Sequence, residues 1–366
     1  MRTAEKSLIP AVAIHPGEHL CDELDARGVS QIDFAKMIGY QKSQLNEVIK
    51  GKRGINAELA LLLQSALGIE ATFWLNLQKN YELDSAKIES KDRSRLEALE
   101  LWNIINESIP VSFFKKSGIL SGDPILDIPT IKKVYNIENF EQLAVINASP
   151  TFAHFRKSDK QIIDKAQVVA WFKLCEFRAK GLVVKEFNQA VKTELIKSLT
   201  EIFYKNQNTI TALEATLAEA GIKLILQEKG EKMPIDGVSF WSNGNPAIGL
   251  SLRYKRIDWL AFTLFHELGH VFCHLVNNNQ AVMIDLDNED PDYKKSKEEM
   301  EANEFAQNYL IDPQVWNTFY QDYSYGDSKI LSFSQSQKIH PGIILGRLCH
   351  MNGNFNMRTK VDKTIY

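Results

Sequence analysis

Two histidines stand four residues apart in the run His266-Glu267-Leu268-Gly269-His270, within a stretch of bulky apolar residues that reaches from Trp259 to Leu275. In a helix, residues four apart share a face about 6 Å apart along the axis, so both imidazoles reach one Zn²⁺ at about 2.0 Å. Glu267 then lies beside the ion, where a carboxylate takes a proton from metal-bound water and hands it to a leaving amine, the chemistry of peptide hydrolysis. His274 repeats the spacing but stands about 12 Å from His266 along the axis, beyond a shared tetrahedral ion, and is not expected to ligate. The same letters arise by chance in solvated helices. This helix is apolar nearly all round, however, and burying His, Glu and His together costs free energy unless something pairs with them; a metal is the simplest partner.

A catalytic zinc takes three protein ligands and keeps one position open. The downstream run "SKEEMEANEFAQNYLI" offers carboxylates. Its apolar stripe is Ala302, Phe305, Ala306, Tyr309 and Leu310, and Glu299 falls on that inward face, so Glu299 is the expected third ligand. Glu298 borders the face, Glu301 lies further round and Glu304 points away; Glu298 and Glu301 read as a solvated helix start favoured by the helix dipole. Asn303, one turn after Glu299, is placed to hydrogen-bond a ligand histidine from behind. Zincin chemistry also needs an oxyanion donor, and "KIHPGIILGRLCH" offers His340, Arg347 or His350, of which His340 is the catalytic candidate. A lone histidine is more often structural. Cys273 reads as an inert buried thiol.

The elements that must position these groups follow from the patterns around them. Past residue 200, "GIKLILQE" and "GVSFWSNGNPAIGLSLRY" are strand-like, the second split by the turn cluster Asn243, Gly244, Asn245, Pro246. This predicts a hairpin at 238–252 leading into the histidine helix, an α+β unit. An edge strand of the hairpin is a candidate platform for an extended peptide, although a purely structural hairpin fits equally well. Residues 85–200 are helical by period, punctuated by Pro110, Pro124, Pro129 and Pro150, and suggest no activity of their own. The first 84 residues read as short helices broken by Gly17, Gly28 and Gly39. Within them, Ser30 is an N-cap for a helix over 31–38, Gly39 supplies a turn, and a second helix runs over about 42–50. Small Ala35 at the close approach, with Leu45 and Val48 facing inward, completes a helix-turn-helix layout. The second helix then presents Lys42, Ser43, Gln44 and Asn46 outward, types that bond base edges and phosphates, and Lys50, Lys52 and Arg53 follow as a local cationic tail. A bundle with a solvated polar face is the plainer alternative.

The organisation expected is therefore 1–84, 85–200 and 201–366, mainly α and multidomain, with the C-terminal part α+β. Length supports it, since 366 residues exceed the usual single domain. The net charge of −3 excludes a global basic field, so any nucleic-acid contact must be local. No signal-peptide pattern opens the chain and no apolar run approaches about 18 residues, which predicts a cytoplasmic protein with no membrane partner. Cys21, Cys175, Cys273 and Cys349 have no CxxC spacing, so neither a disulfide framework nor a zinc ribbon is expected.

Two family resemblances add to this. Over about residues 14–83, the HPGE opening, "KGKRGI" and the "FWLNLQ" close resemble the HigA-type antitoxin branch of the XRE (Cro/CI-like) regulators. That implies a lambda-repressor-like domain that binds operator DNA as a homodimer, with a toxin as a further partner. Acidic Asp22, Glu23 and Asp25 in the first helix depart from a basic DNA-binding surface. Over about 200–350, "GNPAIGLSLRYKRIDWLAFTLFHELGHVFCH" with "EMEANEFAQNYLI" resembles the ImmA/IrrE zinc endopeptidases. Matched residue by residue, that resemblance implies His266, His270 and Glu299 as zinc ligands, Glu267 as acid/base, a zincin-like fold and a protein substrate such as a helix-turn-helix repressor. The alternative function is an antitoxin-like repressor whose metal domain senses or binds without cutting.

Overall fold

The computed structural model describes residues 12–89, 93–148, 164–230, 233–251, 255–286, 296–321 and 326–366. The first eleven residues, Pro150 and the hairpin end at 252 lie outside them. Two compact units divide the chain, Met1–Leu99 and Glu100–Tyr366.

The first unit holds α1 (Pro16–Ala26), α2 (Gln31–Met37), α3 (Lys42–Ile49), α4 (Ala57–Leu67) and α5 (Ala71–Glu89), the last running on past residue 84. Side chains start these helices: His15 accepts from Gly17 N, Ser30 from Asp33 N and Asn56 from Leu59 N. Between α2 and α3 the chain turns at Gly39, whose φ of 67° suits glycine. Phe34, Ala35, Leu45, Val48, Leu59, Leu63 and Trp74 form its core. α1 and α3 touch so closely that a Cβ on Gly17 would lie 2.0 Å from the Val48 carbonyl oxygen.

Helix α6 (Arg93–Ser108) leads into the second unit, followed by α7 (Val111–Lys116), α8 (Pro124–Tyr135), α9 (Gln142–Ala148), α10 (Lys165–Gly181), α11 (Lys192–Lys205) and α12 (Thr209–Glu219). Then come β1 (Lys223–Leu226), β2 (Ile235–Ser242), β3 (Asn245–Leu250), α13 (Ile257–Gly269), a π-helical turn (His270–Leu275) and β4 (Met283–Leu286). Helices α14 (Lys297–Leu310), α15 (Pro313–Gln321), α16 (Asp327–Gln337) and α17 (Pro341–Asn352) follow. The whole is mainly α, with a small mixed sheet of order β1-β3-β2-β4. β1 runs parallel to β3, while β2 is antiparallel to both β3 and β4. Asn243 and Gly244, both at positive φ, make the tight turn between β2 and β3.

The sheet alternates its two faces with period two. Val238 and Phe240 face α10, where Phe172 meets Phe240 with ring centroids 5.4 Å apart and Trp171 Nε1 donates to the Gln227 carbonyl. Gly237 and Ser239 face α13. One correction concerns the hairpin: β2 and β3 are both interior strands, so neither has a free edge for a peptide. The edges among the described residues are β1 and β4. Chain residues 363–364 brace the start of α13, with Ile257 N donating to the Lys363 carbonyl and Thr364 bridging Arg256.

Candidate metal centre

Helix α13 is buried on almost every side, and His266, Glu267 and His270 sit 2%, 0% and 0% exposed. Helix α14 crosses it closely because Gly269 carries no side chain: a Cβ there would lie 2.9 Å from Ala302 Cα. This crossing brings Glu299 to the histidines. Its neighbours Glu298 and Glu304 are exposed while Glu299 is buried, as its place on the apolar stripe required.

The donor atoms converge. His266 Nε2 and His270 Nε2 are 3.0 Å apart, with Glu299 Oε2 3.4 Å from the first and Oε1 3.5 Å from the second. The edge of a tetrahedron with bonds of about 2.0 Å is about 3.3 Å, so these residues fit a zinc ion. His266, His270 and Glu299 offer ligand atoms all within 4.8 Å of one another, and His266, Glu267 and Asp285 form a second such group. Charge fits as well. Burial works against an ionised Glu299, yet the two histidine rings beside it outweigh that cost and hold the carboxyl at about 2. Burial drives His270 down to about 4. His266 is also penalised by burial, but Glu299, Asp285 and Glu267 overcome it and lift the ring to about 9, a sign that the cluster favours a positive charge. An ionised Glu299 and a neutral His270 are donor forms that a divalent metal takes, and a metal there would displace the proton that His266 holds.

Around these atoms, Asn303 Oδ1 lies 3.1 Å from His266 Nδ1. Ser239 Oγ donates to Glu267 Oε2 at 2.5 Å, and the other carboxyl oxygen, Oε1, is buried without a hydrogen-bond partner. Such an orphan costs about 1–3 kcal/mol and is expected where the missing partner arrives during function. Burial pushes the Glu267 carboxyl well above the ordinary carboxylate range. Gly237 makes room for it, since a Cβ there would fall 2.0 Å from Oε1.

Sequence reasoning missed Ser239, Gly237 and Asp285. Nothing in the alternation of β2 told which of its faces met α13, and four-residue β4 carries too short a pattern to read. His340 caps α17, its Nδ1 accepting from Gly342 N at 3.1 Å, and burial lowers its pKa against the opposing pull of Asp362 and Asp258. Among the described residues it is not one of those whose ligand atoms gather at the donor cluster. Arg347 is likewise engaged elsewhere: it donates to the carbonyls of Gln307 and Ile311 and lies 4.4 Å over Trp316. His350 is exposed at the end of α17.

In the first unit Lys42, Ser43, Lys50, Lys52 and Arg53 are exposed and Gln44 and Asn46 half-buried. Arg53 pairs with Glu47 at 2.8 Å, which trims the cationic tail. Lys42, Ser43 and Asn46 line an open groove with Ser30, Gln31 and Ile32, so the start of α2 joins the face expected from α3 alone.

Comparison with known proteins gives each unit a family. The helix-turn-helix model matches residues 22–74, and the IrrE N-terminal-like domain model, of the M78 peptidase family, matches residues 218–335. Virulence-associated protein A' of Dichelobacter nodosus is 34% identical over 102 residues, 27% of this chain and 85% of that protein. Virulence-associated protein I of the same organism is 41% identical over 23% of this chain and 77% of its own length. Among solved structures, an addiction module antidote protein of a HigA family from Coxiella burnetii is 34% identical, covering 22% of this chain and 90% of that one with a TM-score of 0.22. No helix among the described residues is long and apolar enough to cross a membrane.

Proposed function

From a chain that belongs to the helix-turn-helix regulators over residues 22–74 and to the IrrE N-terminal-like domain family over residues 218–335, we propose a cytoplasmic transcription regulator with a zinc endopeptidase of its own. The peptidase hydrolyses a peptide bond in a regulator protein or in its own chain. The functional division proposed is a DNA-binding part at 1–84, a helical linking region at 85–200 and a peptidase part at 201–366.

The observation that carries this reading is the buried convergence of His266, His270 and Glu299 with Glu267 alongside. These three are assigned as the zinc ligands, and Asn303 as the hydrogen-bond partner that holds the His266 ring. When bound, the metal supplies Lewis acidity toward the substrate carbonyl and the attacking water. Glu267 is the proton carrier. Ser239 holds Oε2, which leaves Oε1 to take a proton from the water and return it to the departing amine.

For the N-terminal part, Lys42, Ser43, Gln44 and Asn46 are assigned to operator DNA, with Lys50, Lys52 and Arg53 as phosphate contacts. A homodimer follows from two-fold operator geometry. The test pairs wild type with Glu267→Gln, each zinc-loaded, incubated alone and with candidate helix-turn-helix regulators, and cuts are mapped by mass spectrometry. Cleavage should fall by about 10²–10⁴-fold in the variant while zinc stays bound. Equal cleavage by both proteins would overturn the proteolytic role and leave a metal-binding repressor.

A further inference from the structure

The third histidine of the run has a place in the structure that the ligand set leaves unused. Helix α13 stops being α-helical at Gly269, and His270–Leu275 form a π-helical turn. Across it His274, four residues on, stays on the same face as His270. Their rings stand 5.2 Å apart at 47°, with the two Nδ1 atoms 3.1 Å from each other. On its far side, His274 Nε2 lies 3.0 Å from Glu301 Oε2.

We infer that His274 and Glu301 are positioning residues that fix the tautomer and ring angle of His270. This rests on the metal-site reading above. An ionised carboxylate only accepts, so His274 Nε2 donates to Glu301, and the hydrogen-bond chain that continues from there to His270 has His274 Nδ1 accepting and His270 Nδ1 donating. His270 Nε2, the atom facing His266 and Glu299, is thereby left with its lone pair free for a metal. Outer partners of this kind orient metal-bound histidines in general, usually a carboxylate or carbonyl in direct contact. Here an imidazole is interposed, and it carries the hold from a fully buried ring to a carboxylate whose side chain is 42% exposed. Helix α14 thus reaches the site at three points: Glu299 at the donor cluster, Asn303 at His266 and Glu301 at His274. A histidine that merely filled space would need neither partner.

The experiment measures zinc affinity of the full chain by chelator competition, and the His270 tautomer by ¹⁵N NMR, in wild type, His274→Phe, Glu301→Ala and Glu301→Gln. His274→Phe should weaken zinc by about 10- to 100-fold and lose the single-tautomer signature of His270. Glu301→Ala should shift both readouts the same way by less, and Glu301→Gln, which keeps an acceptor, should restore them. Wild-type affinity and tautomer in folded His274→Phe would overturn the inference alone. A wild-type chain that binds no zinc would overturn the site reading with it. If His274→Phe does not fold, the surface pair at 301 decides: equal affinity in Glu301→Ala and Glu301→Gln overturns the inference.

Discussion

The residues proposed to meet DNA and those proposed to hold zinc are built in opposite ways. In the first unit, most of the proposed contacts come from one short helix and the loop after it, at the surface. Around the donor cluster they come from α13, α14 and β2 and are buried or half-buried: Ser239 reaches Glu267 from 28 residues away and Asn303 reaches His266 from 37. The first kind of site needs only a helix that presents the right side chains, and its loss leaves the core intact. The second needs several elements packed in register, so its chemistry and its stability share the same atoms. A substitution in one region should therefore act on one property, and in the other on several.

The largest effect expected is at Glu299. Glu299→Ala removes a buried donor from between two imidazoles, and bound zinc should drop from about one ion per chain toward none. Metal analysis of the purified protein checks this, and full zinc content in the variant would show that the ligand set is wrong. DNA binding by the same variant should be unchanged, which sharpens the contrast between the regions.

A smaller effect is expected at Gly237. In Gly237→Ala the new methyl meets Glu267 Oε1, so the carboxyl must move or β2 must shift. Overpacking of this sort costs about 1–3 kcal/mol, readable in a thermal melt, and Glu267-dependent cleavage should fall while the zinc ligands are untouched. Unchanged melting and cleavage would mean that Glu267 rests elsewhere in the working protein.

The smallest effect on the molecule as a whole is expected from Lys42→Ala. In a shift assay with the DNA upstream of its own coding sequence, this change should weaken binding and reduce the salt slope by about one. Adding Gln44→Ala should relax sequence preference. Zinc content and melting should stay at wild-type values. If the double variant binds as before, the DNA face lies on another helix.

Much of this contrast could be read without coordinates, though unevenly. The helix-turn-helix was legible because its signals are local: Ser30 caps, Gly39 turns, and Leu45 and Val48 face inward one turn apart. The burial of Glu299, but not of Glu298, Glu301 or Glu304, was legible too, since a single amphipathic helix decides which of four carboxylates turns inward. Glu301 was read only as solvent-facing, and its bond to His274 depends on a second helix. A His before Pro-Gly reads as reactive or structural alike, and only the structure shows the N-cap bond that His340 makes.

By itself, then, the sequence determined what is periodic or local: the helices and their caps, the hairpin turn, the pairing of His266 with His270 on one face, and the family of each part. Tertiary structure alone decided what depends on two elements meeting. It set the close crossing at Gly269 that delivers Glu299, the face of β2 that turns Ser239 and Gly237 toward Glu267, and the approach of α14 that sets Glu301 against His274. The physical reason is range. Backbone hydrogen bonding and helical period act over a few residues, whereas the burial that forces polar groups to find partners acts between segments the sequence leaves far apart.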